Sequence, residues 1–317
     1  MRPPDARRSY RRHARIARHA ASVTTLITAT ARPTPEQWQA GGASFEWRGQ
    51  RIFFRAEGRG EPLLLIHGFP TASWDWCALW PALVERYRVL TLDMIGFGFS
   101  AKPRRFGYSI LAQADLFGAF LARESVTRYR LLAHDYGLTV TQELLARQDE
   151  DARAPRIAAA CLLNGGLFPE THRALPMQRL LASPLGPVLA RLTSERTFSA
   201  TMRRIWGTHP PDSAELSAMW RLVTHDRGLL VMPELIGYMA ERRRHRERWV
   251  GALTRAGVPL RLIDGLEDPI SGAHMVARYR ELVPEPDVVE LAGVGHYPQL
   301  EAPEAVLSAV IDFFTRS

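Results

Sequence analysis

Six short, almost wholly apolar runs constrain the fold of this 317-residue chain more than any other feature. PLLLIHG (62–68), YRVLTLD (87–93), RYRLLAH (128–134), RIAAACLLNGG (156–166), PLRLIDG (259–265) and DVVELAG (287–293) lack the polar alternation of a half-solvated strand. Strands of that kind are buried on both faces, as in parallel sheets. Helical patterns separate most of them, at 73–86, 109–124, 138–147 and 272–281, and another at 303–316 follows the last. The alternation implies an α/β protein with a mostly parallel sheet flanked by helices on both sides. SFEW and RIFFRAEG, turning across 48–50, add a hairpin and bring the expected strands to eight.

The alternation breaks once. No strand pattern recurs over 167–257, a length far beyond an ordinary connection. Helical stretches at 214–224 and 233–249, with Pro233 suited to a first helical turn, make this span a helical cap inserted over the strand ends. The expected organisation is an arm over 1–35, a core in two parts over 36–166 and 258–317, and the cap between them.

The formal net charge of +8 belongs mostly to the arm. Residues 1–35 carry eight arginines against the single acid Asp5, and so +7 of the +8. A polybasic segment with little to bury reads as an arm outside the fold, and nucleic acid is therefore not an expected partner. Residues 8–31 have the outline of a secretory leader, but Ser22, Thr24, Thr25 and Thr28 dilute the apolar run. A cytoplasmic location is expected, with export by the arm as the alternative. No stretch approaches the roughly 18–20 apolar residues of a membrane span. Cys77 and Cys161 lie in apolar surroundings and read as small core residues. Without HExxH, CxxC or a phosphate loop, neither metal nor cofactor is expected. A cap rich in Leu, Met, Phe and Trp suits a small apolar substrate, bound by a monomer or homodimer.

The chemistry concentrates at strand ends. AHDYG (133–137) lies directly between the strand RYRLL and the helix LTVTQELLAR. A small residue, a central nucleophile and a Gly on a strand-to-helix turn form a nucleophile elbow, here presenting Asp135. Asp268 follows LRLIDG and His296 follows VVELAG. Nucleophile, acid and histidine thus come in the chain order of a catalytic triad, each at the carboxyl end of an expected parallel strand. HGFP (67–70) ends another strand. Its Phe69 amide, with that of Tyr136, is placed for an oxyanion hole, supported by His67. DMIGFGFS (93–100) contains a GxGxxA match, but Pro103 prevents the helix that a dinucleotide site needs, so it reads as a supporting loop. ERRRHRER (241–248), five arginines interspersed with Glu241 and Glu247, reads as a solvated face of the cap.

HGFP, DMIGFGFS, AHDYG, GLEDP and GVGHYPQLEAPE, in that order, resemble the α/β-hydrolases with an aspartate nucleophile, the epoxide hydrolases and haloalkane dehalogenases. LNGGLFPETHR (163–173) and RERWVGAL (246–253) are similar to the mesoderm-specific transcript family of epoxide-hydrolase-like proteins. The resemblance covers roughly 61–314 and implies the α/β-hydrolase fold, an eight-stranded sheet with an inserted cap. It also implies attack by Asp135 on a saturated carbon to give an alkyl ester. His296, held by Asp268, then activates the water that hydrolyses this ester. An ordinary aspartate, with a pKa of about 3.9, is ionised at neutral pH without a base, so the histidine serves only the second half. Epoxide hydrolases supply a proton from cap tyrosines; this cap has only Tyr238, with His209 a weak substitute for a second. Dehalogenases typically place Trp after the nucleophile and often Asn in the HGxP loop. Tyr136 and Phe69 stand at those positions and favour an epoxide, leaving Trp206 and Trp220 as alternative halide donors. Asn164, where some dehalogenases draw the triad acid, reads as a polar contact supporting the site. A catalytically idle fold used for binding is the reading outside enzymes.

Overall fold

The computed structural model describes residues 32–317. The strands are β1 (Ala43–Trp47), β2 (Gln50–Glu57), β3 (Pro62–Ile66), β4 (Arg88–Leu92), β5 (Arg128–His134), β6 (Arg156–Leu163), β7 (Leu260–Gly265) and β8 (Asp287–Leu291). They form one sheet in the order β1-β2-β4-β3-β5-β6-β7-β8. β1 and β2 are an antiparallel hairpin, β2 is antiparallel to β4, and all remaining pairs are parallel. Leu63, Leu64, Leu65 and Ile66 of β3 and Leu131, Leu132 and Ala133 of β5 are fully buried, as their uninterrupted apolar sequence demands. β8 departs from the expectation of full burial, because as an edge strand with β7 as its one neighbour it remains half-exposed.

The hairpin turns through Arg48 and Gly49, both at positive φ. α1 (Pro35–Ala40) precedes it, capped by Thr34, which accepts from the Gln37 amide. The expected arm over 1–35 is too long at its inner end. Trp74 donates to the Pro33 carbonyl, Arg32 pairs with Glu215, and Trp38 is buried with its indole donating to Ser73. The chain thus joins the body from Arg32, while the readings of the leader-like segment fall on residues 1–31, outside the described ones.

The helix expected over 73–86 is split into a 3-10 turn (Ser73–Trp76) and α2 (Trp80–Val84), with Pro81 at the start of the latter. α3 (Ile110–Arg123) and α4 (Tyr136–Glu150) follow β4 and β5. Between β6 and β7 the chain forms α5 (Pro176–Leu181), α6 (Gly186–Leu192), α7 (Glu195–Ile205), α8 (Ser213–Thr224), α9 (Met232–Leu235), α10 (Tyr238–Arg244) and α11 (Arg246–Thr254). The single helix expected over 233–249 is therefore three. Gly237, costly inside a helix, stands instead at the N-cap of α10. α11 packs on α4 through Trp249, which is buried and donates to Glu143 at 2.8 Å. Burying such an indole removes roughly 150–250 Å² from water, an upper bound of about 4–6 kcal/mol. α12 (Ala273–Leu282), α13 (Pro298–Glu301) and α14 (Pro303–Arg316) complete the chain. Among the described residues no helix is long and apolar enough to cross a membrane.

Candidate active site

β5 ends at His134 and α4 begins at Tyr136, so Asp135 alone makes the turn, at φ 44° and ψ −105°. A side chain at positive φ is strained, and the surroundings hold it there. A Cβ on Gly137 would lie 2.5 Å from the Ile66 carbonyl oxygen, and one on Gly165 would lie 2.7 Å from Asp135 Cα. Only glycine permits that closeness. The Asp135 amide donates to the Asn164 carbonyl at 2.9 Å, and the Phe69 amide donates to Asp135 Oδ2 at 3.1 Å. Tyr136, whose amide was the other expected donor, is the first residue of α4, where helical amides lack intrahelical acceptors.

The other strand ends converge on the elbow. His296 Nδ1 meets Asp268 Oδ2 at 2.8 Å, and His296 Nε2 stands 4.0 Å from Asp135 Oδ2. Asp268 also accepts from the Ser271 hydroxyl, the Ile270 amide and Asn164 Nδ2, at 2.7, 2.8 and 3.2 Å. Burial opposes its charge, but His296 and these donors prevail and bring its pKa down to about 2. Burial likewise opposes a charged His296, yet the carboxylates of Asp268, Asp135 and Glu301 outweigh it and raise its pKa to about 9. Asn164 grips β7 as well, accepting from the Gly265 amide at 2.6 Å and donating to its carbonyl at 3.0 Å.

Two further histidines are structural ties. His67 lies against the Gly68 carbonyl at 2.8 Å through Nδ1 and accepts from the Met94 amide through Nε2, joining two loops. His134, which burial keeps neutral with its pKa lowered to about 3, donates from Nε2 to the His296 carbonyl at 2.7 Å. In the 93–100 loop, Asp93 accepts from the Ser73 and Phe99 amides and holds the turn together.

The Arg-rich run corrects the sequence reading. Arg242 is 2% exposed, not solvated, and its guanidinium lies behind the elbow. Its Nε donates to Thr139 Oγ1 at 2.7 Å, and its Nη2 donates to the Asp135 carbonyl at 3.3 Å and lies 3.9 Å from Asp135 Oδ1. Arg248 binds Glu143 and Glu150, and Glu241 accepts from the Ile110 amide, so the run staples α10 and α11 to the core. The available signal was spacing: Arg242 lies four residues after Tyr238, on the same helical face.

Tyr238 is fully buried, with its ring 5.0 Å from that of Tyr136, 6.0 Å from that of Phe69, and under the Arg242 guanidinium at 4.5 Å. Its hydroxyl has no hydrogen-bond partner among the described residues. Burial and the Asp135 charge push its pKa up, so the phenol keeps its proton. His209 is exposed, Trp206 stacks on Tyr297, and Trp220 packs against Phe198. Above the site lies a cavity of about 750 Å³, counting its open mouth, bounded by Phe69, Met202, Ile205, Met232, Ile270 and His296. A carboxylate held by an amide, beside a histidine-aspartate pair and beneath an apolar cavity, is equipped for nucleophilic displacement followed by hydrolysis.

These features define a hydrolase-type fold and site, and the chain belongs to the alpha/beta hydrolase fold family, whose model matches residues 61–303. Its curated relatives include the mesoderm-specific transcript protein of Mus musculus, 40% identical over 295 residues, covering 89% of this chain and 88% of that protein. Haloalkane dehalogenase 2 of Mycobacterium tuberculosis (strain ATCC 25618 / H37Rv) is 29% identical over 288 residues, covering 89% of this chain and 98% of that one. Among solved structures, an alpha/beta hydrolase fold protein from Burkholderia ambifaria superimposes with a TM-score of 0.73 at 24% identity, over 85% of this chain and 97% of that one.

Proposed function

We propose that the protein hydrolyses an apolar epoxide to a vicinal diol through an alkyl ester of Asp135, with residues 167–257 acting as its cap. Phe69 holds Oδ2, so Oδ1 attacks the epoxide carbon and the carbon-oxygen bond of the strained ring breaks. The departing alkoxide takes the Tyr238 proton. The buried, unpartnered Tyr238 hydroxyl is the observation that carries this reading over others.

In the second half a water oxygen attacks the Asp135 carboxyl carbon while His296 Nε2 takes its proton. The Phe69 and Tyr136 amides stabilise the resulting oxyanion. Its collapse breaks the ester carbon-oxygen bond, and the departing diol oxygen takes the proton left on the carboxyl, so that Asp135 returns as a carboxylate with one water-derived oxygen. His296 is protonated in the resting state, with its pKa raised to about 9 in part by the Asp135 charge. Esterification removes that charge, so His296 gives up its proton, the Tyr238 phenolate regains one, and the neutral imidazole is ready as the base for the hydrolytic step. Asn164 and His67 act as supports, positioning Asp268 and the Phe69 loop.

The likeness to a haloalkane dehalogenase supports a second reading, with halide as the leaving group. His296→Gln incubated with a panel of epoxides and haloalkanes decides the matter by intact mass. The proposal expects one substrate mass on Asp135 with epoxides, diol from the wild type, and loss of epoxide opening in Tyr238→Phe. Adducts from haloalkanes alone, with halide released, select the dehalogenase. No adduct from either class overturns covalent catalysis by Asp135.

A further inference from the structure

Four large apolar side chains stand in solvent on two adjacent cap helices. Leu180 is 42% exposed, Leu185 62%, Val188 55% and Leu192 73%; the one other exposed large apolar side chain among the described residues is Leu111, on α3, at 36%. Leu185, the N-cap of α6 with helical backbone angles, and Val188 and Leu192 within it follow a spacing of three and four, so they share one face. The opposite side of the same pair is also apolar: Met177 and Leu181 of α5 and Ala190 of α6 line the cavity. α5 and α6 are therefore a one-helix-thick wall with an apolar cavity inside and an apolar outer surface. A cap helix that faced only water would carry polar residues outward.

The segment that carries this surface is basic. Arg179, Arg191, Arg196, Arg203 and Arg204 are exposed along 176–206, where Glu195 is the one acid, and the elements packed against α6 add exposed Arg227 against Asp226 and Glu234, which leaves the excess positive. We propose that the outer face of α5 and α6 docks on an anionic lipid bilayer, with the leucines in the acyl boundary and the arginines at the phosphate level. Charge complementarity selects that occupant. A second copy related by a two-fold axis would bring the same arginines face to face, which repels. Docked in this way, the cavity wall lies against the acyl layer, and an apolar substrate reaches it without crossing water. The docking does not rest on which bond the site breaks, and its test reads binding rather than turnover.

The test uses the full chain, so that residues 1–31, themselves basic, are common to every protein compared. The wild type should float with vesicles of mixed phosphatidylglycerol and phosphatidylcholine, more strongly at low salt, and weakly with phosphatidylcholine alone. The double substitution L185S/L192S should weaken flotation by about tenfold or more. R191A/R196A should reduce the preference for the anionic lipid. Because Cys77 and Cys161 are buried, a polarity-sensitive dye can be placed selectively through L185C, with L111C as the control. Vesicles should shift the emission of the first to the blue and leave the second unchanged. Flotation equal to wild type in L185S/L192S overturns the proposal. So does a dye at position 185 that responds to protein concentration and not to vesicles, which marks self-association.

Discussion

Replacing Arg242 with methionine keeps a side chain of similar length and removes its charge and its hydrogen bonds to Thr139 and the Asp135 carbonyl. The losses are the 2.7 Å bond to Thr139, the 3.3 Å bond to the Asp135 carbonyl, and the cation 3.9 Å from Asp135 Oδ1. Hydrogen bonds involving a charged group contribute about 1.5–3 kcal/mol each, and removing one partner of a buried ion pair costs about 3–5 kcal/mol. The ion pair is long and one hydrogen bond is stretched, so the low end applies, about 3 kcal/mol. At about 2–4 °C per kcal/mol for a domain of this scale, the melting temperature should fall by roughly 6–12 °C. Thr139→Val strands a single donor and should cost about 1–2 kcal/mol. If the two residues act together, R242M/T139V loses less than the sum of the single variants. Arg242→Lys keeps the charge without the planar fork and should fall between methionine and wild type. Chemical denaturation measures these terms. Ester formation in the His296→Gln background, followed by quenched-flow mass spectrometry, should slow at least about tenfold with Arg242→Met, the equivalent of some 1.4 kcal/mol. A loss below about 1 kcal/mol with unchanged ester formation would refute the view that this guanidinium holds the elbow.

In the proposed mechanism ester hydrolysis needs neutral His296, whose resting pKa is raised to about 9, so the ester fraction at steady state should grow as pH falls and shrink as pH rises toward that value. Esterification removes the Asp135 charge and places the inflection below about 9; a pH-independent ester fraction contradicts the role of His296. Asn164→Ala removes its bonds to Gly265 and Asp268 and should slow ester hydrolysis about tenfold while sparing ester formation, as rapid-quench kinetics would resolve. Gly165→Ala drives a methyl to 2.7 Å from Asp135 Cα and should destabilise the protein by about 1–3 kcal/mol, read from its denaturation midpoint.

The sheet was legible because burial on both faces leaves no freedom for polar residues: β3 and β5 announce themselves as LLLI and LLA. The strand ends were legible because Asp135 and Asp268 follow such buried runs within a few residues, and His296 follows the apolar pattern of β8 even though that edge strand is half-exposed. Arg242 was not legible. Its partners, Thr139 and Asp135, are 103 and 107 residues away, and no local charge pattern reports a partner across the fold. The helix breaks between 233 and 249 were hidden too, because Gly237 and His245 interrupt a pattern that stays amphipathic on both sides. The outer leucines of α5 and α6 were read as apolar cap residues without a facing direction, which sequence spacing alone does not supply when both faces are apolar.

Asn164 stands where the chain leaves the sheet toward α5, and Gly265 and Asp268 stand at the far end of β7, the parallel strand that the chain enters after α11. Their mutual hydrogen bonds close the base of a loop about a hundred residues long. The entropy of closing such a loop rises only logarithmically with its length, by about 0.6 kcal/mol per doubling. Helices can therefore be added, lost or exchanged above this clasp at little cost, while the geometry of Asp268, His296 and Asp135 below it is left alone. Substrate preference is free to drift in one half of the molecule without retuning the chemistry in the other.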